Sequence, residues 1–133
     1  MPLFVTEQDV IVIEVCYLEE NGQLKFLEEG DDSCQKPQVE TFTFRRPNWS
    51  DNRLMMADSM FIDPTSGAPV LDPYRFIDRK MKILLKEWTL KVGDEKLPVT
   101  GDNIDKLDAA LINYLNRALD AKLTPPVEEA PKQ

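Results

Sequence analysis

The sequence predicts an α+β domain. Three observations carry that expectation: a strand pair closed by Asn21-Gly22, a second alternating stretch around Phe42 and Phe44, and apolar residues at helical spacing through the rest of the chain. The expected architecture is an N-terminal antiparallel β-hairpin plus a third strand, packed with three C-terminal helices. A chain of 133 residues can bury a real core as one domain, expected over 1–123, with a proline-rich acidic C-terminal tail over 124–133.

In the hairpin, Ile11, Ile13, Val15 and Tyr17 alternate on one face of a strand. Asn21-Gly22 tolerates the positive φ angles of a type I′ turn, and a two-residue loop there sets Tyr17 opposite Phe26 and Cys16 opposite Leu27. Val10, Val12, Cys16 and Leu18 make the other face partly apolar, so this strand is either covered on both faces or offers apolar surface to a partner. Residues 30–37 read as a polar loop. Val39 to Arg45 alternates again as the third strand, and Pro47 ends it.

A helix is expected over 51–61, capped by Ser50 and rich in methionine. A turn-rich stretch, 63–69, follows. Asp72-Pro73 is a good cap and first-turn pair for a helix over 73–90, in which Ile77, Met81, Leu84 and Trp88 repeat at helical spacing. Residues 92–99 read as a connection. Thr100 or Asp102 then caps a last helix lined by Ile104, Leu107, Leu111, Tyr114, Leu115 and Ala118, stopped at Thr124-Pro125-Pro126. The tail beyond is too polar and proline-rich to fold alone.

The charge is unevenly placed. Of 24 acids, ten lie in residues 1–40 against only Lys25 and Lys36, while the other fourteen balance fourteen bases, so the net charge of -8 belongs to the N-terminal third. Such a lobe repels phosphates and anionic lipid and favours basic partner surfaces, or serves as a solvated face. No apolar run approaches the ~20 residues that span a bilayer. The first residues show no basic stretch before an apolar one, so synthesis in the cytoplasm is expected. The separation of Cys16 and Cys34 permits a disulfide; without secretion, two free thiols are the expectation.

Composition argues against catalysis. With no histidine, the commonest general base and metal ligand are both missing, and Ser-His-Asp or Cys-His arrangements cannot be built from this chain. The five glycines form neither a phosphate loop nor a dinucleotide turn. The pairs Asp31-Asp32, Glu128-Glu129 and Asp102 with Asp105 fall where solvated carboxylates are expected, and Ser66 lies in a turn. Arg45, Arg46 and Trp49 form the one patch with nucleic-acid chemistry. The expectation is instead that the arginines pair with acids and that Trp49 staples the start of the helix. A non-enzymatic protein, without cofactor, metal, nucleic acid or membrane, is the reading.

Three surfaces are candidates for binding protein. Met55, Met56 and Met60 cluster as an adaptable docking face, or else as core filler. Arg75, Arg79, Lys80, Lys82 and Lys86 make a basic helix surface that can complement the acidic lobe of another copy, giving a head-to-tail homo-oligomer, or simply meet water. The proline-rich tail, with Val127 as its candidate contact, is the third.

From Phe42 to Ala118 the chain resembles a known family. Phe42-Thr43-Phe44-Arg45-Arg46-Pro47 is followed by Ile83-Leu84-Leu85-Lys86-Glu87-Trp88-Thr89-Leu90, then Leu97-Pro98-Val99-Thr100 and Asn103-Ile104-Asp105-Lys106-Leu107. These stretches are similar to tail assembly chaperones and related small tail proteins of long-tailed bacteriophages. In that family a tryptophan closes a helix, and a polar turn, a Leu-Pro-x-Thr helix start and an amphipathic C-terminal helix follow. The resemblance implies a non-enzymatic protein of tail morphogenesis that binds tail tube or tape-measure proteins in the host cytoplasm. The alternative is a structural subunit of the virion, such as a tail, neck or baseplate component.

Overall fold

A computed structural model describes residues 3–27 and 38–123. The Asn21-Gly22 turn is formed as the sequence predicts, with φ of 53° and 77° at the two residues. It joins β1 (Val10–Glu20) to β2 (Gln23–Phe26), with Tyr17 opposite Phe26 and the Leu27 N–H donating to the Cys16 carbonyl. Strand β3 (Gln38–Arg45) pairs antiparallel along the length of β1, from Val10 opposite Arg45 to Tyr17 opposite Gln38.

The main sheet has a fourth strand that helical periodicity hid. Helix α2 (Pro73–Leu84) stops short of its expected end, and Leu85–Trp88 runs on as β6 beside β3, giving the order β2-β1-β3-β6. The spacing of Met81, Leu84 and Trp88 suits a helix, but pairing with the β3 aromatics prevails: Phe44 lies opposite Leu85 and Phe42 opposite Trp88. Leu85 takes an extended backbone, with ψ of 118°. Trp88 therefore closes a strand and not a helix, and Lys86 leaves the basic helix for the sheet.

The helical half differs in three further places. Helix α1 is Trp49–Ala57, capped by Asn48 and not by Ser50, and it ends before Met60. Met60–Ile62 instead forms β4, paired with β5 (Pro69–Leu71) in a two-stranded ribbon whose loop turns at Gly67, φ 69°. The connection over 92–99 contains a second small hairpin, β7 (Lys91–Val92) with β8 (Glu95–Lys96). The last helix is broken: Thr100 caps α3 (Gly101–Asp105), and α4 (Ala109–Leu123) starts anew after the Asp108 carboxylate accepts from the Ala110 N–H. Among the described residues four helices thus stand in place of the expected three.

The core lies on one face of the sheet. Ile11, Ile13 and Val15 on β1, Phe42 and Phe44 on β3, and Leu85 and Trp88 on β6 bury against Met81 and Leu84 of α2 and Leu115 and Leu119 of α4. Phe42 meets Trp88 edge to face at 6.4 Å, and the indole N–H donates to the Leu97 carbonyl at 2.7 Å, so its polar edge is satisfied inside the core. Phe26 stacks on Tyr114 at 4.7 Å and fixes α4 against the hairpin. On the opposite face of the sheet Val10, Val12 and Val39 are exposed, so of the two readings of β1 the described residues realise the one with open apolar surface.

Candidate protein-docking surface

The local structure around α1 is set by one carboxylate. Asp51 accepts from the Asn48 N–H at 3.0 Å while Asn48 Oδ1 accepts from the Asp51 N–H at 2.8 Å, a reciprocal capping box. The same carboxylate takes both Arg45 guanidinium nitrogens, at 2.5 and 2.9 Å, tying the end of β3 to the start of α1. The guanidinium holds the Asp51 carboxyl below the usual carboxylate range, and Asp51 in turn raises Arg45 above its ordinary value. Arg45 is thereby occupied, as expected, whereas Arg46 forms no ion pair among the described residues. Trp49, by contrast, is 75% exposed and staples nothing.

The three candidate methionines separate. Met55 is core, at 2% exposure, packed beside α2. Met56 and Met60 are exposed, and they belong to a larger group that sequence reasoning missed: Leu54 on α1, Phe61 and Ile62 on β4, and Val70 and Leu71 on β5. Every residue of the ribbon strands is apolar, and every one is exposed. Ile62 is 68% exposed and Phe61 40%, which is unusual for side chains of this size in neighbouring positions. The missed signal was two three-residue apolar runs flanking a loop with Gly67, a hairpin pattern that the methionine-rich helix reading absorbed.

The basic residues of α2 are largely spent inside the molecule. Arg79 pairs with Asp58 at 2.6 Å and Arg75 with Asp72 at 3.5 Å. Lys82 bridges Asp105 at 2.8 Å and Asp78 at 3.0 Å, and these two hydrogen bonds, Asp105 first, raise its pKa. Lys80 is only 4% exposed: its ammonium donates to Asp120 and to Asn116, above the Phe76 ring, and locks α2 to α4. Lys86 on β6 approaches the Glu7 carbonyl at 3.5 Å. An acidic partner thus meets few free cations here, because each charge already has a neighbour.

A groove of about 470 Å³ runs between β1 and α4, lined by Val12, Glu14, Cys16, Leu27, Tyr114 and Lys122. Its lining is mixed, and the Cys16 thiol within it is free. Among the described residues no three acids or cysteines come together as a metal site, and no helix is long and apolar enough to cross a membrane. Asp102 and Asp105 are exposed on α3, and Ser66 hydrogen-bonds within the ribbon loop to Asp63. Val127, the pairs Asp31-Asp32 and Glu128-Glu129, and Cys34 lie outside the described residues. No protein-family model, curated protein or solved structure matches the chain.

Proposed function

We propose that this chain is a non-enzymatic assembly factor of bacteriophage tail morphogenesis, acting as a tail assembly chaperone does, by holding another protein on an apolar surface. The observation that carries the reading is the group of large apolar side chains between Leu54 and Leu71 that lies outside the core among the described residues. Methionine at positions 56 and 60 suits such a surface, because its flexible thioether repacks against different clients. The similarity of the stretch from Phe42 to Ala118 to tail assembly chaperones supplies the client class, tail tube or tape-measure proteins, and the host cytoplasm as the place of action. That similarity is one of residue pattern. Its tryptophan falls at a strand end here and not at a helix end, so the apolar surface carries more of the argument than the motif.

A second reading, a structural subunit of the virion, is favoured by one observation. The outer face of the sheet, with Val10, Val12 and Val39, gives a second apolar surface, as a fixed subunit with neighbours on two sides requires. Mass spectrometry of purified particles against unassembled lysate separates the two. The chaperone reading expects the chain only in the soluble fraction, bound to a tail protein. Stoichiometric presence in mature particles overturns it in favour of the structural subunit.

A further inference from the structure

We propose that the outer edge of β4 pairs with the same edge of a second copy, joining two ribbons into one four-stranded antiparallel sheet across a twofold axis. The inference rests on the reading of the ribbon as a protein-docking surface and commits its edge to one occupant.

The hydrogen-bond parity of the ribbon selects that edge. The Ser59 carbonyl accepts from the Asp72 N–H at 2.8 Å, and the Asp63 N–H donates to the Ala68 carbonyl at 3.0 Å. With Phe61 opposite Val70, the hydrogen-bonded positions on this strand are 59, 61 and 63, because such pairs alternate along an antiparallel ladder. The N–H and C=O groups of Met60 and Ile62 therefore point away from β5. On β5 the outward positions are Pro69 and Leu71, and proline has no N–H to give. The β5 edge is blunted, as edge strands commonly are, whereas β4 carries neither proline nor charge and keeps a full set of donors and acceptors.

A second copy fits this edge in register. With Phe61 facing Phe61 of the other copy, Met60 lies opposite Ile62 and each such pair exchanges two bonds, about four in all. Charge agrees with the geometry. Asp63 then comes opposite Ser59 and not another acid, Asp58 is already held by Arg79, and Asp72 by Arg75. Contact through residues 1–40, where the net negative charge lies, would instead set like charges against each other. The apolar side chains of the ribbon itself, Met60, Phe61, Ile62, Val70 and Leu71, are all exposed, so pairing two copies at this edge takes apolar surface on both from water without calling on Leu54 or Met56 of α1. A lone two-stranded ribbon is marginal in water, and four strands with shared apolar faces are not.

Sedimentation velocity of the full chain across the micromolar range tests this. The parent is expected to show a concentration-dependent monomer–dimer equilibrium. Ile62→Pro removes one outward N–H that the ribbon's own ladder does not use, and is expected to weaken association at least about tenfold with an unchanged circular dichroism spectrum. Facing residues of a non-hydrogen-bonded pair have Cα atoms about 4.5 Å apart, within disulfide reach, so Phe61→Cys is expected to give a covalent dimer on oxidation. Val92→Cys and the parent, which retains Cys16 and Cys34, serve as controls and are expected to give none. A parent that stays monomeric overturns the inference, as does a dimer that survives Ile62→Pro while Phe61→Cys fails to cross-link. If the parent is monomeric and Ile62→Pro abolishes capture of a purified tail protein, the docking reading stands with that protein as occupant. If the parent is monomeric and capture is unaffected, both the pairing and the docking reading fall.

Discussion

Replacing Asp51 with alanine should cost far more than an ordinary surface change, because one carboxylate serves two structures at once. It closes the capping box of α1 with Asn48 and accepts a two-pronged bond from Arg45. Asn48 stays as the cap, so what is lost at the capping box is the hydrogen bond from the Asn48 N–H, about 1 kcal/mol. A fully exposed ion pair adds roughly 0–1 kcal/mol and breaking a buried one about 3–5. Asp51 is buried but the Arg45 side chain keeps 29% of its exposure, so an intermediate value of about 2 kcal/mol applies to the pair. The sum, about 3 kcal/mol, corresponds to a Tm lower by roughly 10 °C for a domain of this size. Asp51→Asn, which keeps an acceptor for the cap and loses the charge, should fall about midway. The pH dependence follows from direction. Folding depresses the Asp51 pKa, so its contribution is complete above the unfolded value of about 3.9 and is lost as pH falls through the folded one. Arg45, raised from an already high value, stays charged throughout. Urea unfolding of parent and Asp51→Ala should therefore give a constant gap from about pH 5 to 8 that narrows in stronger acid. A gap under about 0.5 kcal/mol at neutral pH, or one that widens in acid, would refute the reasoning.

Other changes separate core from surface. Trp88→Ala should destabilise by about 3–5 kcal/mol, and Trp88→Phe by less, since it keeps the edge-to-face contact with Phe42 but leaves the Leu97 carbonyl without its donor; denaturant midpoints measure both. Lys80→Met should cost less than Lys80→Ala, because a methionine side chain fills the buried stem's place between Phe76 and α4, while Asp120 can turn to solvent; thermal unfolding ranks the pair. Gly22→Ala should lose about 1 kcal/mol, since Gly22 has φ of 77° with open space around it, so the penalty is backbone strain and not a clash. Met56→Lys should leave Tm within about 2 °C of the parent and yet weaken binding of a tail protein, measured by calorimetry.

The sheet's front half was legible because its signals are local. Asn21-Gly22 sets the turn, the turn sets the register, and the alternation of Ile11, Ile13 and Val15 sets the buried face. Strand β6 was not legible, since Leu84, Leu85 and Trp88 satisfy a helical period, and Leu85 and Trp88, three residues apart, are both buried in a strand only through a register shift between Thr43 and Phe44. Only the distant Phe42 and Phe44 decide between helix and strand. The break between α3 and α4 lies in Asp105 to Asp108, where Asp108 starts a second cap inside one apolar stripe. The exposed apolar surface was half visible. Methionines at 55, 56 and 60 flagged the region, but a run of apolar residues states that something is covered without stating by what. Met55 is covered by the chain itself; Met56 and Met60 are not. The basic stripe on α2 misled for the opposite reason, because the acids that neutralise it, Asp58, Asp105 and Asp120, come from other parts of the chain.

Photo-cross-linking in particle-producing cells tests the central claim most directly, with the probe residue placed at position 56 on α1, at position 62 on β4, or at exposed position 92 on the far hairpin as control. Protein docking at the apolar surface predicts cross-links from position 56 to a tail protein and from position 62 to a second copy of this chain, with neither from position 92. Cross-linking from positions 56 and 62 no stronger than from position 92 would contradict it.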